Sequence, residues 1–265
     1  MLDRLSAWTC VLAVLAVVAW LVLGAQEPDR ARLTVAPRPA PSAAAVIVAV
    51  PDVGAARAAE TTSGSVGASG AVVPLATGNA ALVSAEWADN AGQATGIPLR
   101  ALLGYAGASL RLASESPTCR LGWTTLAALG SIESGHGTHA GSAVDADGVV
   151  RPGILGPLLD DGTFEAMPDT DNGRGDGSPE WDRAVGPLQF IPATWQRWGA
   201  DGNGDGVKDA QQIDDAALAA GRYLCHYGDL SSAESWRTAV FAYNHVDAYV
   251  NSVAATANEY AARAR

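Results

Sequence analysis

Lysine is all but absent from this chain: Lys208 stands alone beside sixteen arginines and 28 acidic residues, and the formal net charge is -11. Such a surface offers a polyanion no basic footprint, so nucleic acid is excluded as a partner. Aromatic residues are missing altogether between Trp20 and Trp87. That stretch is built from Ala, Val, Pro, Gly, Ser and Thr. Segments such as Ala36–Ser42 and Thr61–Gly70 cannot bury enough apolar area to offset chain entropy. Residues 25–83 therefore read as a disordered Ala/Pro/Gly-rich linker, stiffer where proline recurs and flexible where Gly and Ser do. A folded domain is expected over residues 84–265, long enough for one packed core.

Only three cysteines occur, and one of them, Cys10, lies in an apolar run, Trp8–Gly24, that follows Arg4. The run is intermediate in length between a signal-peptide core and a full membrane span. Residues 1–24 thus read as a signal peptide or a signal-anchor helix, and export follows either way. Retention would leave an extracytoplasmic domain tethered to the membrane by about sixty linker residues, with a span of roughly 40–45 Å. Cleavage would release it. Cys119 and Cys225 remain as an even pair in an exported domain, which favours a disulfide over two buried thiols. Closing a loop of about a hundred residues, such a bond is worth up to roughly 4–5 kcal/mol in the chain-entropy model.

The folded part reads as mostly α. A helix is expected over Ile97–Leu110, opened by Pro98, and another ends near Gly135. A long loop then runs to about Asp182, with at most a short hairpin in the 140–165 region. Short helical patterns follow at Pro192–Trp198, at Asp215–Tyr227 with Asp214 or Asp215 as N-cap, at Ala233–Asn244 and at Ala248–Ala262.

Glu133 is the most informative of these residues. On the helix before Gly135, Leu126, Leu129, Gly130 and Glu133 fall on one stripe, so a carboxylate ends an apolar face. Burial and the negative end of the helix dipole both raise a carboxyl pKa, which keeps it protonated near neutral pH as a general acid requires. A surface Glu at a helix end is the plainer alternative.

Two loops concentrate the acidity. Asp201, Asn203 and Asp205 take positions one, three and five of an EF-hand-like loop, with Gly206 at the sharp turn and Asp209 at position nine. Val207 would donate its carbonyl. Position twelve is Gln212 in place of a bidentate Glu, although a slightly lengthened loop could use Asp215. The ion so held would be a single structural calcium, with no cofactor needed for chemistry. The second loop, Asp169–Gly177, reads as a solvated turn-rich segment, as a second ion site, or as a polar lining for sugar hydroxyls.

Three motifs in order, Ile132-Glu133-Ser134-Gly135, Ala184-Val185-Gly186-Pro187-Leu188-Gln189-Phe190-Ile191-Pro192 and Ala242-Tyr243-Asn244, resemble those of lytic murein transglycosylases of the lysozyme-like fold. The likeness is to the B-type branch, with its EF-hand-like loop after the Gly/Gln motif, and it runs from about Trp87 to the C-terminus. The resemblance implies Asp215 as the last calcium ligand. It also implies cleavage of the β-1,4 bond between N-acetylmuramic acid and N-acetylglucosamine in peptidoglycan, leaving a 1,6-anhydro end. Glu133 would serve as the single acid and base, with Gln189, Tyr243 and Asn244 orienting it and holding the N-acetyl sugar. Ser134 would cap the helix end. Peptidoglycan glycan strands are then the partner, the membrane a second one if the N-terminal segment is retained, and a monomer is expected. One departure is His245, where the family continues with Ala or Gly.

Two other readings compete. A hydrolase would need a second carboxylate, which Asp182, Asp169 or Asp171 could supply. A non-catalytic, calcium-dependent wall-binding module would need no acid at all.

Overall fold

The computed structural model describes residues 78–160 and 166–265. The apolar run Trp8–Gly24 and the linker up to residue 77 lie outside the described residues, among which no helix is long and apolar enough to cross a membrane.

The central element is dictated by its sequence. In α3 (Trp123–Ser134) apolar or small residues occupy every side of the first two turns, and Trp123 through Gly130 are all buried. A helix that is apolar all round has to be surrounded. Its neighbours are α2 (Leu99–Glu115) and α7 (Asp247–Arg263), with Trp123 also meeting Trp87 of α1 (Ala85–Thr95) edge-on at 5.4 Å. Gly130 is where α2 crosses closely, since a Cβ there would collide with the Tyr105 hydroxyl. The broadest helix contact joins α2 to α5 (Ile213–Cys225) through small residues: a Cβ on Gly104 would press on Ile213, one on Gly221 would collide with Leu112, and Ala216, Ala217, Ala219 and Ala220 are fully buried. Small side chains let the two backbones approach and bury both apolar stripes together.

Two small antiparallel sheets, β1 (Ala143–Val144) with β2 (Val150–Arg151) and β3 (Leu155–Leu158) with β4 (Arg183–Val185), fill the region between α3 and α4 (Pro192–Trp198). The first is the expected hairpin. The second lies where a loop is expected: Gly156 and Pro157 give β3 little strand character, and its partner lies beyond the acidic loop, so no local pattern announces the pairing. α6 (Ala233–Asn244) has its expected bounds, with Ser232 as N-cap.

Other boundaries shift for physical reasons. The packed chain begins before residue 84, because a 3-10 turn at Gly78–Leu82 docks on the 201–215 loop, the Asn79 N–H donating to the Gly202 carbonyl at 2.8 Å. α1 lies outside the expected helices, although Ser84 caps it and Gly96 ends it in the left-handed conformation. α2 continues to Glu115 instead of Leu110. The N-cap of α5 is Gln212, not Asp214 or Asp215: its side-chain oxygen accepts from the N–H groups of both aspartates, which occupy the first turn where the helix dipole favours them. Asp214, fully buried, pairs with Arg100 and accepts from the Gln212 amide at 2.7 Å.

Cys119 and Cys225 are disulfide-bonded, with Cα atoms 5.2 Å apart and a sequence separation of 106. Beside the bond, the Leu230 N–H donates to the Cys119 carbonyl at 2.8 Å and Arg120 pairs with Asp229. The turn after α5 is thereby held to the turn before α3. Replacing both cysteines by serine should cost roughly 2–4 kcal/mol of stability, in line with a cross-link that constrains the unfolded chain. The measurement is the denaturant midpoint under oxidising conditions, and a midpoint equal to that of the native chain would refute the contribution.

Candidate active site

Glu133 sits in the last turn of α3, where the helix stops at Gly135 in a left-handed conformation. The Gly135 N–H donates to the Ser131 carbonyl at 3.0 Å and the His136 N–H to the Gly130 carbonyl at 2.8 Å, satisfying the end of the helix. His136 turns inward between the Tyr105 hydroxyl, 3.3 Å from Nδ1, and the Tyr260 hydroxyl, 2.9 Å from Nε2. Burial pushes its pKa down to about 4, so the ring is neutral and fastens α3 to α2 and α7.

The carboxyl of Glu133 faces a cleft of about 450 Å³. Burial raises its pKa to about 7, against the lowering effect of a hydrogen bond that the Tyr249 hydroxyl donates to Oε1. Tyr249 itself is held well above its ordinary value, by burial first and by the neighbouring Glu133 charge second, and so remains a donor. The carboxyl is thus close to half-protonated at neutral pH while one of its oxygens is fixed in place.

Gln189, Tyr243 and Asn244 line the same cleft, so the four expected residues meet on one surface. Gln189 closes a tight turn from Gly186, with Val185 and Phe190 paired on either side by reciprocal hydrogen bonds of 2.8 and 3.0 Å. Its backbone has a φ of +49°, and its side-chain amide donates to the Gly186 carbonyl at 2.8 Å. Two side chains hold this turn against the helices. Ser134 Oγ donates to the Pro187 carbonyl at 2.7 Å while accepting from the Gly137 N–H at 2.8 Å, so it does more than cap its helix. Tyr243 donates to the Leu188 carbonyl at 2.8 Å. The hydroxyl of Tyr243 is therefore committed to the turn, and the hydrogen bond that orients Glu133 comes from Tyr249.

No sequence pattern singles out Tyr249. It lies six residues after Tyr243 across the break between α6 and α7, and neither helix's periodicity points it at Glu133. His245, the departure from the resemblance, also lines the cleft, exposed and in the left-handed conformation at φ +57°.

Glu133 is the one carboxylate among the described residues that line the cleft. The acidic loop turns its own side chains inward. Asp169 accepts from the N–H groups of Asp171, Asn172 and Gly173, and Asp171 from those of Arg174 and Gly175. Asp176 accepts from Ser178 and Arg183 N–H, and Asp182 from the Thr170 N–H and hydroxyl.

The 201–215 loop behaves similarly. Asp201 accepts from the Gly204, Asp205 and Gly206 N–H groups, and Asp215 from those of Gly202, Asn203 and Asp209. Asp215 is buried at the start of α5, and burial, with a contribution from the Asp201 charge, pushes its pKa up to about 6. The donor set is oxygen only, as a hard cation requires. Among the described residues, however, the acidic oxygens drawn within 4.8 Å of one another belong to Asp169, Asp171 and Asp182. Gln212 stands where an EF-hand places its last ligand, and its buried side chain is used to cap α5.

The raised pKa of Glu133 has a sign that stability can read. Between its ordinary value of 4.5 and about 7 the folded chain binds more protons than the unfolded one. The group's contribution is therefore fully present below about pH 4.5 and lost as pH rises to about 7. Glu133→Gln should consequently be more stable than the native chain at pH 8, by on the order of 1–3 kcal/mol, with no advantage near pH 4. Urea titrations at both pH values test this, and an equal difference at each would contradict it.

Comparison with known proteins finds one family model that matches part of the chain. Residues 169–262 match the family model described as Transglycosylase SLT domain, a span that holds Gln189, the 201–215 loop, Tyr243, Asn244 and Tyr249, while Glu133 and α3 precede it. No curated protein and no solved structure matches the chain.

Proposed function

We propose that the chain is a lytic transglycosylase that cleaves the β-1,4 bond between N-acetylmuramic acid and N-acetylglucosamine in peptidoglycan, acting outside the cytoplasm. One observation carries the reading: the cleft holds a single carboxyl among the described residues, and burial sets it near pH 7. The match of residues 169–262 to a transglycosylase domain supports it.

The chemistry uses Glu133 twice. Protonated, it donates to the glycosidic oxygen as the bond from that oxygen to C1 of the muramoyl residue breaks. As carboxylate it then takes the proton of the muramoyl 6-hydroxyl, whose oxygen closes on C1. No water is consumed, and the acid is restored for the next turnover. A pKa near 7 suits both half-steps, since neither protonation state is costly to reach. Tyr249 holds the carboxyl for donation and shares the charge that appears once the proton has left. Gln189 and Asn244 present amides at the cleft wall to the N-acetyl groups, and Tyr243 acts through the turn it holds.

A hydrolase would place a second carboxylate across the scissile bond, about 5–5.5 Å away for retention or 6.5–9.5 Å for inversion. Asp169, Asp171 and Asp182 are outside the cleft lining and saturated by their own loop, which favours the transglycosylase.

The 201–215 loop is proposed to hold one structural calcium through Asp201, Asn203, Asp205, the Val207 carbonyl and Asp215. The ion would neutralise the loop's carboxylates and stiffen the start of α5, with no part in the reaction. An ion bound only by the folded chain stabilises it by about 2.7 kcal/mol at a hundredfold excess over its Kd. Added calcium should therefore raise the melting temperature and chelator reverse the shift; melting indifferent to both would remove the ion from the account.

The decisive experiment is mass spectrometry of peptidoglycan digested by the native chain and by Glu133→Gln. The native chain should yield 1,6-anhydromuramoyl ends, with activity falling above about pH 7 as Glu133 ionises. The amide variant should lose at least about a hundredfold in rate, because it cannot donate a proton. Reducing ends would identify a hydrolase, and a variant within tenfold of the native rate would move the acid elsewhere.

A further inference from the structure

The 3-10 turn Gly78–Leu82 lies ahead of α1, and its backbone is wedged between the 201–215 loop and α2. On the loop side, a Cβ on Gly78 would collide with the carbonyls of Gly202 and Asn203. On the helix side, one on Gly107 would collide with the Asn79 carbonyl. Asn79 joins the two. Its N–H donates to the Gly202 carbonyl at 2.8 Å, and its Oδ1 accepts from Arg111 Nε of α2 at 2.9 Å. Asn79 and Ala80 are both buried.

Gly202 and Asn203 are positions two and three of the loop. Their N–H groups donate to Asp215 Oδ1 at 2.6 and 3.2 Å. Gly202 is therefore gripped from both sides, its N–H by Asp215 and its carbonyl by Asn79. Of the residues proposed for calcium, Asp201 and Asn203 flank that grip and Asp215 forms one side of it. A hard cation gathers several oxygens at once, and every ligand left free to wander adds to the ordering that binding has to impose. The turn supplies no ligand. It fixes the backbone that carries two of them.

We propose that Gly78–Leu82 is a clamp on the calcium loop, so that docking of the turn and binding of calcium favour one another. The proposal rests on the calcium reading of the 201–215 loop and extends it to a part of the chain that holds no ligand. Coupling of this kind is reciprocal: the factor that the docked turn adds to calcium affinity is the factor that calcium adds to docking. All of the sequence before Gly78, the apolar run Trp8–Gly24 included, joins the domain through this turn. Calcium would thus decide how firmly the junction with the N-terminal segment is fastened to α2 and α5.

The test titrates calcium calorimetrically into the metal-stripped full chain, as native protein, as Gly78→Ala and as Arg111→Ala. Both substitutions should weaken calcium binding about fivefold or more. Gly78→Ala drives a methyl group into the loop backbone without touching a ligand side chain. Arg111 is exposed and makes no hydrogen bond to the loop. Loss of its positive charge would by itself favour a cation, so weaker binding has to come through Asn79. In the native chain, calcium should slow hydrogen exchange over residues 78–83 by about the same factor. If Gly78→Ala fails to fold, Arg111→Ala and the exchange measurement decide. Equal affinity in all three chains, with exchange over 78–83 indifferent to calcium, would overturn the clamp and leave the calcium site standing. Tighter binding by Arg111→Ala would also overturn it, since charge and not docking would then set the affinity. A native chain that binds no calcium would overturn the calcium reading, and the clamp with it.

Discussion

At the C-terminal end of α3 one hydroxyl joins two segments 53 residues apart, Ser134 Oγ donating to the Pro187 carbonyl at 2.7 Å while accepting from the Gly137 N–H. Tyr243 repeats the arrangement from the far side by donating to the Leu188 carbonyl. The turn that carries Gln189 is thus fastened to the helix that carries Glu133 and to the helix that ends in Asn244. Three sequence-distant segments then move as one body. Catalytic groups have to be held to within a fraction of an ångström, and hydrogen bonds to buried backbone carbonyls are costly to break.

The same turn is braced from behind. Gly186 has a φ of +81°, and a Cβ there would collide with the Ala210 carbonyl, so only glycine lets the turn lie against the loop that precedes α5. Gln211 completes the join, exchanging hydrogen bonds of 2.9 and 2.8 Å with the backbone of Ile154. The 201–215 loop placed here supports the cleft without reaching it. That separation is what a structural ion, as distinct from a catalytic one, would need.

The distribution of carboxyls follows a single logic. Among the described residues one carboxyl lines the cleft, without a cationic partner, and burial drives its pKa up. The others nearby are spent on backbone N–H groups or on arginine, as Asp214 is on Arg100. An excess of negative charge in the cleft would raise the Glu133 pKa further and make the carboxyl a weaker acid for the proton donation proposed for it. Site function here costs some stability, since a carboxyl buried without a cation destabilises the fold once ionised.

Much of this was legible in the amino-acid order. The spacing of Leu126, Leu129, Gly130 and Glu133 put a carboxyl at the end of a helix, and the cysteine pair suggested the bond that is present. These are local facts, because helical periodicity and turn chemistry act within a few residues. What only the tertiary structure decided concerns partners chosen across the chain. Gln212 was legible as a failed calcium ligand and not as the cap of α5, since a side chain with several acceptable partners is assigned by packing. β3 and β4 pair across the acidic loop without strand-like composition, and the aspartates of that loop turn to their own backbone and away from the cleft. Tyr249 reaches Glu133 only because α7 crosses α3 where it does. Periodicity says which face of a helix is buried; the distance and angle at which another helix meets that face depend on the volumes of both, and no spacing within one segment encodes them.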